Sequence, residues 1–338
     1  MSGHLAIRAA GPGTTLQDGG RHGYLRYGVG AAGPMDWIAH IRANILAGNP
    51  ENAGAIEVGL GGIELQAEGG EIYLGYAGAP FAVTLNGQAL PTAGRVRLGL
   101  DDRFAVKAGA RGAWFYLSPA GGFDVAPVMG SLSTSLRSGI GGLNGRALAA
   151  GDRLALRGGP ALPELGFEER APARTGRLRV LLGPQDDYFS PAGIRTFFAG
   201  SYKLSARSDR MGYRLEGPAV EHAKGFNIVS DGIALGAIQI PGDGRPIVLM
   251  ADRQSTGGYP KLGYVIRTDI ARLAQCRAGD AVQFESVALE TARAELFAAL
   301  RTVRASLAAV SPLGGDLSSE FLLSQNLISG AQSAAEDA

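Results

Sequence analysis

The sequence predicts a mainly β chain with few helices, arranged as two domains, and three observations carry that expectation. Short apolar runs broken by turn residues fill the stretch from Leu5 to about Leu156 and resume at Leu178. Glycine supplies 52 of the 338 residues, against a usual share of about 7%, which favours many tight turns. Helical spacing of apolar residues is confined to a few segments.

The elements follow in chain order. Glu71-Ile-Tyr-Leu-Gly-Tyr76, Phe81-Ala-Val-Thr-Leu85 and Ala113-Trp-Phe-Tyr-Leu117 read as strands, being β-branched and aromatic runs between turn residues. Asn86-Gly87 predicts a hairpin, because this pair supplies the two positive φ angles of a type I′ turn. Asp36 caps a helix whose apolar face is Trp37, Ile41, Ile45 and Leu46, and Gly48-Asn49-Pro50 ends it. Residues 161–176 are rich in Pro, Gly, Glu and Arg without periodicity and read as an exposed connection between a domain at 1–160 and a second at 177–287.

In the second domain, Leu178–Leu182, Phe226–Val229 and Pro246–Met250 read as strands, with helices near Asp187 to Phe198 and Thr268 to Ala274. The phrases Leu148-Ala-Ala-Gly-Asp-Arg-Leu154 and Cys276-Arg-Ala-Gly-Asp-Ala-Val282 each put a Gly-Asp turn before alternating residues, a pattern two related folds would share. Leu289, Ala292, Leu296, Leu300, Val303 and Leu307 predict an amphipathic helix over 288–310 that lies on a core or a partner. The tail, 311–338, reads as disordered or partner-docking.

Composition removes several function classes. Lys plus Arg number 32 against 31 Asp plus Glu, and no long basic run occurs, so the electrostatic footprint of a nucleic-acid binder is missing. No stretch approaches the roughly 18 apolar residues of a membrane span. Cys276 is the sole cysteine, which excludes internal disulfides and multi-cysteine metal sites; with no secretory leader pattern at the N-terminus, the expected compartment is the cytoplasm. The four histidines show no metal spacing, and neither a phosphate loop nor a nucleophile elbow is present.

Two punctuated segments concentrate the chemistry: Gly11 to Tyr24, containing Thr14, Thr15, Gln17, Asp18 and Arg21, and Asp252 to Lys261. Glycine, hydroxyl, amide and charged side chains in such density suit a polar ligand better than a core, and the two are expected to wall one site. Asn44 shares a helical face with Trp37 and Ile41, so its amide points inward, either holding the loop of Thr14, Thr15 and Gln17 or meeting a ligand. Arg210 and Arg214 flank Gly212 and suit a carboxylate or polarised carbonyl, unless Asp209 pairs with one of them at the surface. Gln239 comes from a strand end. Asp252 follows an apolar strand and is placed to orient or deprotonate a substrate nitrogen, while Lys261 or an arginine balances a developing oxyanion. Tyr259 completes the candidate binding set.

These motifs, taken in order, resemble the biotin-dependent carboxyltransferase-like family, which includes the C component of bacterial 5-oxoprolinase, allophanate hydrolase subunit 2, the sporulation-kinase regulator KipA and the carboxyltransferase region of urea amidolyase. The motifs are Thr14-Thr-Leu-Gln-Asp18, Gly33-Pro-Met-Asp36, Ala43-Asn44, Gly130-Ser-Leu-Ser-Thr134, Asp209-Arg-Met-Gly-Tyr-Arg-Leu215, Ile238-Gln-Ile-Pro241, Asp252-Arg-Gln254 and Thr256-Gly-Gly-Tyr-Pro-Lys261. The resemblance implies two cyclophilin-like β-barrel domains, a heteromer with a protein like the B component of 5-oxoprolinase, and a protein like its A component for full activity. It implies Asn44, Arg214 and Asp252 as substrate contacts, and a small amide or lactam as substrate. ATP with Mg is expected in the complex, on a component the sequence does not name. Biotin enters only if a partner carries it, since this chain has no Ala-Met-Lys-Met-like attachment phrase. Three readings follow: a component of an ATP-dependent 5-oxoprolinase, a carboxyltransferase acting on urea or another amide, and a non-catalytic regulatory protein of the KipA kind.

Overall fold

A computed structural model describes residues 3–167 and 176–305. Strands dominate, with four α-helices among the described residues: α1 Trp37–Leu46, α2 Pro191–Ala199, α3 Arg267–Ala274 and α4 Leu289–Ala305. The N-terminal half is walled by two six-stranded sheets and the C-terminal half by one eight-stranded sheet. Each half closes on its own core. The first gathers Leu5, Ile7, Leu65, Tyr76, Phe104, Phe115 and their neighbours; the second gathers Val180, Phe197, Tyr202, Leu215, Val248 and Phe284.

Local rules place most elements. Asn86 and Gly87 take φ of 50° and 81° and join Ala82–Leu85 to Gln88–Leu90 in an antiparallel hairpin, as a type I′ turn requires. The Asp36 carboxylate accepts from the Ile38 and Ala39 amides at 3.1 Å each and starts α1. This helix lies so close to the Ile72–Gly78 strand that a β-carbon on Gly75 would sit 2.4 Å from the Ala43 carbonyl oxygen. Only glycine tolerates that approach. The two Gly-Asp phrases adopt the same turn: Gly151 and Gly279 have φ of 94° and 87°, and Asp152 and Asp280 each accept at 2.8 Å from the amide three residues earlier.

Two expectations change. Phe226–Val229 is an irregular, solvent-facing segment: Phe226 is 46% exposed and Val229 92%, so the run has no buried face to hold it in a sheet. Within the stretch read as an interdomain connection, Leu165–Phe167 pairs with Ala93–Arg95, and the Pro163 carbonyl accepts from Arg95 Nη1 at 2.9 Å. The first part of the connection is therefore an edge strand of one of the two sheets of the first half.

The amphipathic face of α4 lies across both halves. Leu296, Ala299, Leu300 and Val303 pack on Trp37 and Ile41 of α1 and on Ala271 of α3. Ion pairs flank the contact, Arg304 with Glu51 and Arg179 with Glu295. Leu307 and the tail, 311–338, lie outside the described residues.

Candidate functional site

The halves meet along a cleft of about 630 Å³, lined from the first by Pro12, Gly13, Gly59–Gly61, Trp114 and Arg137 and from the second by Ser208–Met211, Tyr213 and Asp252. Arg210 and Asp252 are 42 positions apart in sequence, yet strand register makes them neighbours. Gly212–Glu216 pairs antiparallel with Ile247–Leu249, Gly212 opposite Leu249, so the residues before one strand and after the other share an end. The Asp252 amide donates to the Arg210 carbonyl at 2.8 Å. The side chains then meet in a fork, Arg210 Nε to Asp252 Oδ2 at 2.9 Å and Nη2 to Oδ1 at 3.0 Å, the geometry that suits guanidinium and carboxylate.

Behind Arg210 stands Glu57, fully buried, on the Ala55–Val58 strand of the first half. Arg210 Nη1 donates to Glu57 Oε1, while Glu57 Oε2 accepts from the Met35 amide at 2.8 Å and the Tyr116 hydroxyl at 2.7 Å. Tyr116 lies directly opposite Glu57 in the paired strands, which explains the contact. Arg210 Nη2 also reaches the Gly33 carbonyl at 2.8 Å. One buried cation is thus shared by a carboxylate from each half.

The electrostatics follow from that sharing. Burial pulls the Arg210 guanidinium down, but Asp252 and Glu57 outweigh it and hold the group above its ordinary value. Burial pushes the Glu57 carboxyl up; Arg210, the Met35 amide and Tyr116 hold it back, and it remains raised. Tyr116 is pushed well up by burial and by the carboxylates of Glu57 and Asp36, so it stays a protonated donor.

The first punctuated segment anchors the cleft wall. Asp18 accepts from the Ser131 and Ser133 hydroxyls at 2.6 Å each, from the Leu132 amide at 2.6 Å and from the Gly20 amide at 2.9 Å. Burial pushes its carboxyl up, but these donors outweigh it and leave Asp18 below its ordinary value. Arg21, wholly buried, donates to the Val128 and Ser133 carbonyls. The Gly130–Gly145 loop is therefore clamped on one side by a cation and on the other by an anion.

The candidate residues separate into three groups. Arg210 and Asp252 line the cleft together. Thr15, Gln17 and Asn44 do not: all three are fully buried and spent on structure. Gln17 Nε2 donates to Thr15 Oγ1 and the Thr134 carbonyl, and its Oε1 accepts from the Gly33 amide. Asn44 donates to the Glu51 and Ala53 carbonyls at 3.2 and 2.9 Å, and its Oδ1 accepts from the Ser118 hydroxyl. It holds the 49–54 turn rather than the loop of Thr15. It also contacts His40, which burial pushes down to about 4.

Gln239, Tyr259 and Lys261 form a separate group in the second barrel. Gln239 and Lys261 are register partners, and buried Lys261 donates to Asp231 at 2.7 Å. None of the three lines the interdomain cleft. Arg214 lies outside all three groups. Its neighbour Tyr213 points inward and donates to the Ala274 carbonyl, so strand alternation turns Arg214 to solvent. Asp209, the alternative partner for an arginine, instead caps the Met211 and Gly212 amides. Glu57 was readable in principle, as the one charge in a continuously buried Ala-Ile-Glu-Val strand.

The arrangement offers a ligand an oriented carboxylate, Asp252, beside a mostly apolar wall. Among the described residues no group of three or more His, Cys, Asp or Glu is placed to hold a metal ion, and no helix is long and apolar enough to cross a membrane.

Comparison with known proteins sets this geometry in a family. The chain is 39% identical to the C component of 5-oxoprolinase from Escherichia coli strain K12 over 292 residues, covering 85% of this chain and 93% of that one. It is 30% identical to urea amidolyase of Saccharomyces cerevisiae over 311 residues, covering 86% of this chain but 17% of that one. The solved urea carboxylase of Kluyveromyces lactis superposes with a TM-score of 0.81 at 29% identity, over 89% of this chain and 29% of that one. Residues 27–286 match the carboxyltransferase domain, subdomain A and B, and the chain belongs to that family.

Proposed function

We propose that the chain acts as the C component of an ATP-dependent 5-oxoprolinase, helping to open the lactam of 5-oxoproline to L-glutamate. The observation that carries this reading is likeness over nearly the full length of a bacterial 5-oxoprolinase component, where the urea enzymes match in only a fraction of theirs. The cleft supplies compatible chemistry. Asp252, fixed by Arg210, keeps lone pairs free to accept the lactam N–H, and Glu57 with Tyr116 keeps Arg210 from turning away. Orienting the ring nitrogen in this way presents the carbonyl carbon in one direction.

The lactam is resonance-stabilised, and its opening is coupled in this reading to phosphoryl transfer from Mg-ATP. The described residues supply no cluster fit to hold the metal, so no step of that transfer is assigned to them. A partner like the B component of 5-oxoprolinase completes the complex, with a protein like the A component supplying the remaining activity, in the cytoplasm. The test is co-expression with the neighbouring genes and measurement of ATP-dependent glutamate formation from 5-oxoproline. A complex that is silent on 5-oxoproline but carboxylates urea in the presence of bicarbonate and a biotinylated partner overturns the reading.

That second reading, a carboxyltransferase for urea or a related amide, is favoured by the superposition on urea carboxylase; the Asp252 acceptor fits a urea N–H equally well. A complex inactive on both substrates points to the regulatory alternative.

A further inference from the structure

Arg210 has little to offer a ligand carboxylate in this cleft, because Asp252 and Glu57 already share its charge. Of its five N–H donors it spends Nε and one Nη2 proton on Asp252, one Nη1 proton on Glu57 and the second Nη2 proton on Gly33, which leaves a single Nη1 proton. Arg214 faces solvent outside the cleft. Arg277, at the cleft wall, is tied to the carbonyls of Gly112 and Gly109 at 2.5 and 2.9 Å. Arg137 differs from all of these. Its Nη1 meets the Met211 thioether at 3.0 Å, a weak acceptor, and it forms no ion pair among the described residues.

The backbone holds Arg137 in position. The Ser135 amide donates to the Ile140 carbonyl and the Gly139 amide to the Ser135 carbonyl, both at 2.9 Å, closing a tight turn around residue 137. The base of that loop is the one clamped by Asp18 and Arg21. Met211, which Arg137 touches, follows Arg210 directly in the chain, and the Arg210 carbonyl receives the Asp252 amide. The guanidinium, with no carboxylate partner among the described residues, therefore touches the segment that carries the Arg210–Asp252 fork.

We infer that Arg137 is the specificity-determining residue of the cleft: its guanidinium takes the carboxylate of a cyclic amide acid while Asp252 accepts the adjacent ring N–H. In 5-oxoproline the nitrogen and the carboxylate-bearing carbon are bonded to each other, so the two protein groups must share one cleft, as they do here. The inference rests on the 5-oxoprolinase reading. It assigns the punctuated Thr14–Arg21 segment an indirect task, fixing the loop that presents Arg137.

The experiment compares the co-expressed complex carrying wild-type chain, Arg137→Gln or Arg137→Lys. Binding of 5-oxoproline and of 2-pyrrolidinone, the same lactam without the carboxylate, is measured by calorimetry, and KM and kcat are measured for 5-oxoproline. Losing a charge-assisted hydrogen bond is expected to weaken 5-oxoproline by about tenfold to a hundredfold, carried in KM rather than kcat. Binding of 2-pyrrolidinone should stay within about twofold, and Arg137→Lys should recover part of the loss, keeping the charge without the fork. Equal weakening of both ligands, or none of 5-oxoproline, overturns the inference while leaving the function reading intact. A wild-type complex that binds no 5-oxoproline overturns both.

Discussion

Replacing Arg210 by methionine keeps most of the side-chain volume and removes the charge that two carboxylates share. Glu57 is fully buried and the Asp252 side chain is 6% exposed at the cleft wall, so Glu57 finds no water to replace its lost partner and Asp252 finds little. Breaking a buried pair in this way costs about 3–5 kcal/mol, which lowers Tm by roughly 6–20 °C. The deficit carries a pH signature. Glu57 is already raised from its ordinary 4.5 by burial, and without Arg210 it rises further. A carboxyl raised on folding contributes fully below its unfolded value, and that contribution is lost as pH climbs through the folded one. The Arg210→Met deficit should therefore be largest near pH ~7.5 and shrink toward pH ~4.5, read by calorimetry of wild type and variant across that range. Adding Glu57→Gln should recover about 1 kcal/mol or more relative to additivity. A deficit below about 1 kcal/mol, or one independent of pH, refutes the claim that one buried cation couples the two barrels.

Three further outcomes separate structural from ligand-facing roles. Asp18→Ala removes the acceptor for four donors and should cost about 2–4 kcal/mol, with faster amide exchange over 130–145; because the Asp18 carboxyl is depressed, the difference from wild type is present above its ordinary 3.8 and fades as pH falls through the lower folded value. Asn44→Ala strands the Glu51 and Ala53 carbonyls and should lower stability by about 1–3 kcal/mol without altering ligand affinity; a KM effect at unchanged Tm would return Asn44 to the site. Arg214→Ala should leave both turnover and Tm within error, stability changing by no more than about 0.5 kcal/mol, and a tenfold loss of kcat would show that the exposed face serves catalysis.

What could be read in the sequence was local. Asn86-Gly87, the Asp36 cap and the two Gly-Asp turns announce themselves because a few neighbouring residues settle each conformation. Phe226–Val229 misled for the same reason: its apolar residues satisfy a strand pattern, but no neighbouring strand buries them. The site could be read only in part, since its geometry comes from register. Asp252 meets Arg210 because two strands pair with Gly212 opposite Leu249, and Glu57 joins them because the first barrel closes against the second. Lys261, in the same punctuated segment as Asp252, ends in a different group because the chain turns into the Lys261–Val265 strand. The density of polar residues in the two segments had two causes that composition does not distinguish: Asp252 faces the cleft, whereas Thr15, Gln17, Asp18 and Arg21 hold the scaffold that shapes it. A polar residue buried to satisfy backbone donors and one buried to meet a ligand have the same local signature, and only the partner's identity separates them. Glu57 combines both cases, since its carboxylate is spent on the protein and yet decides how the carboxylate in the cleft is held.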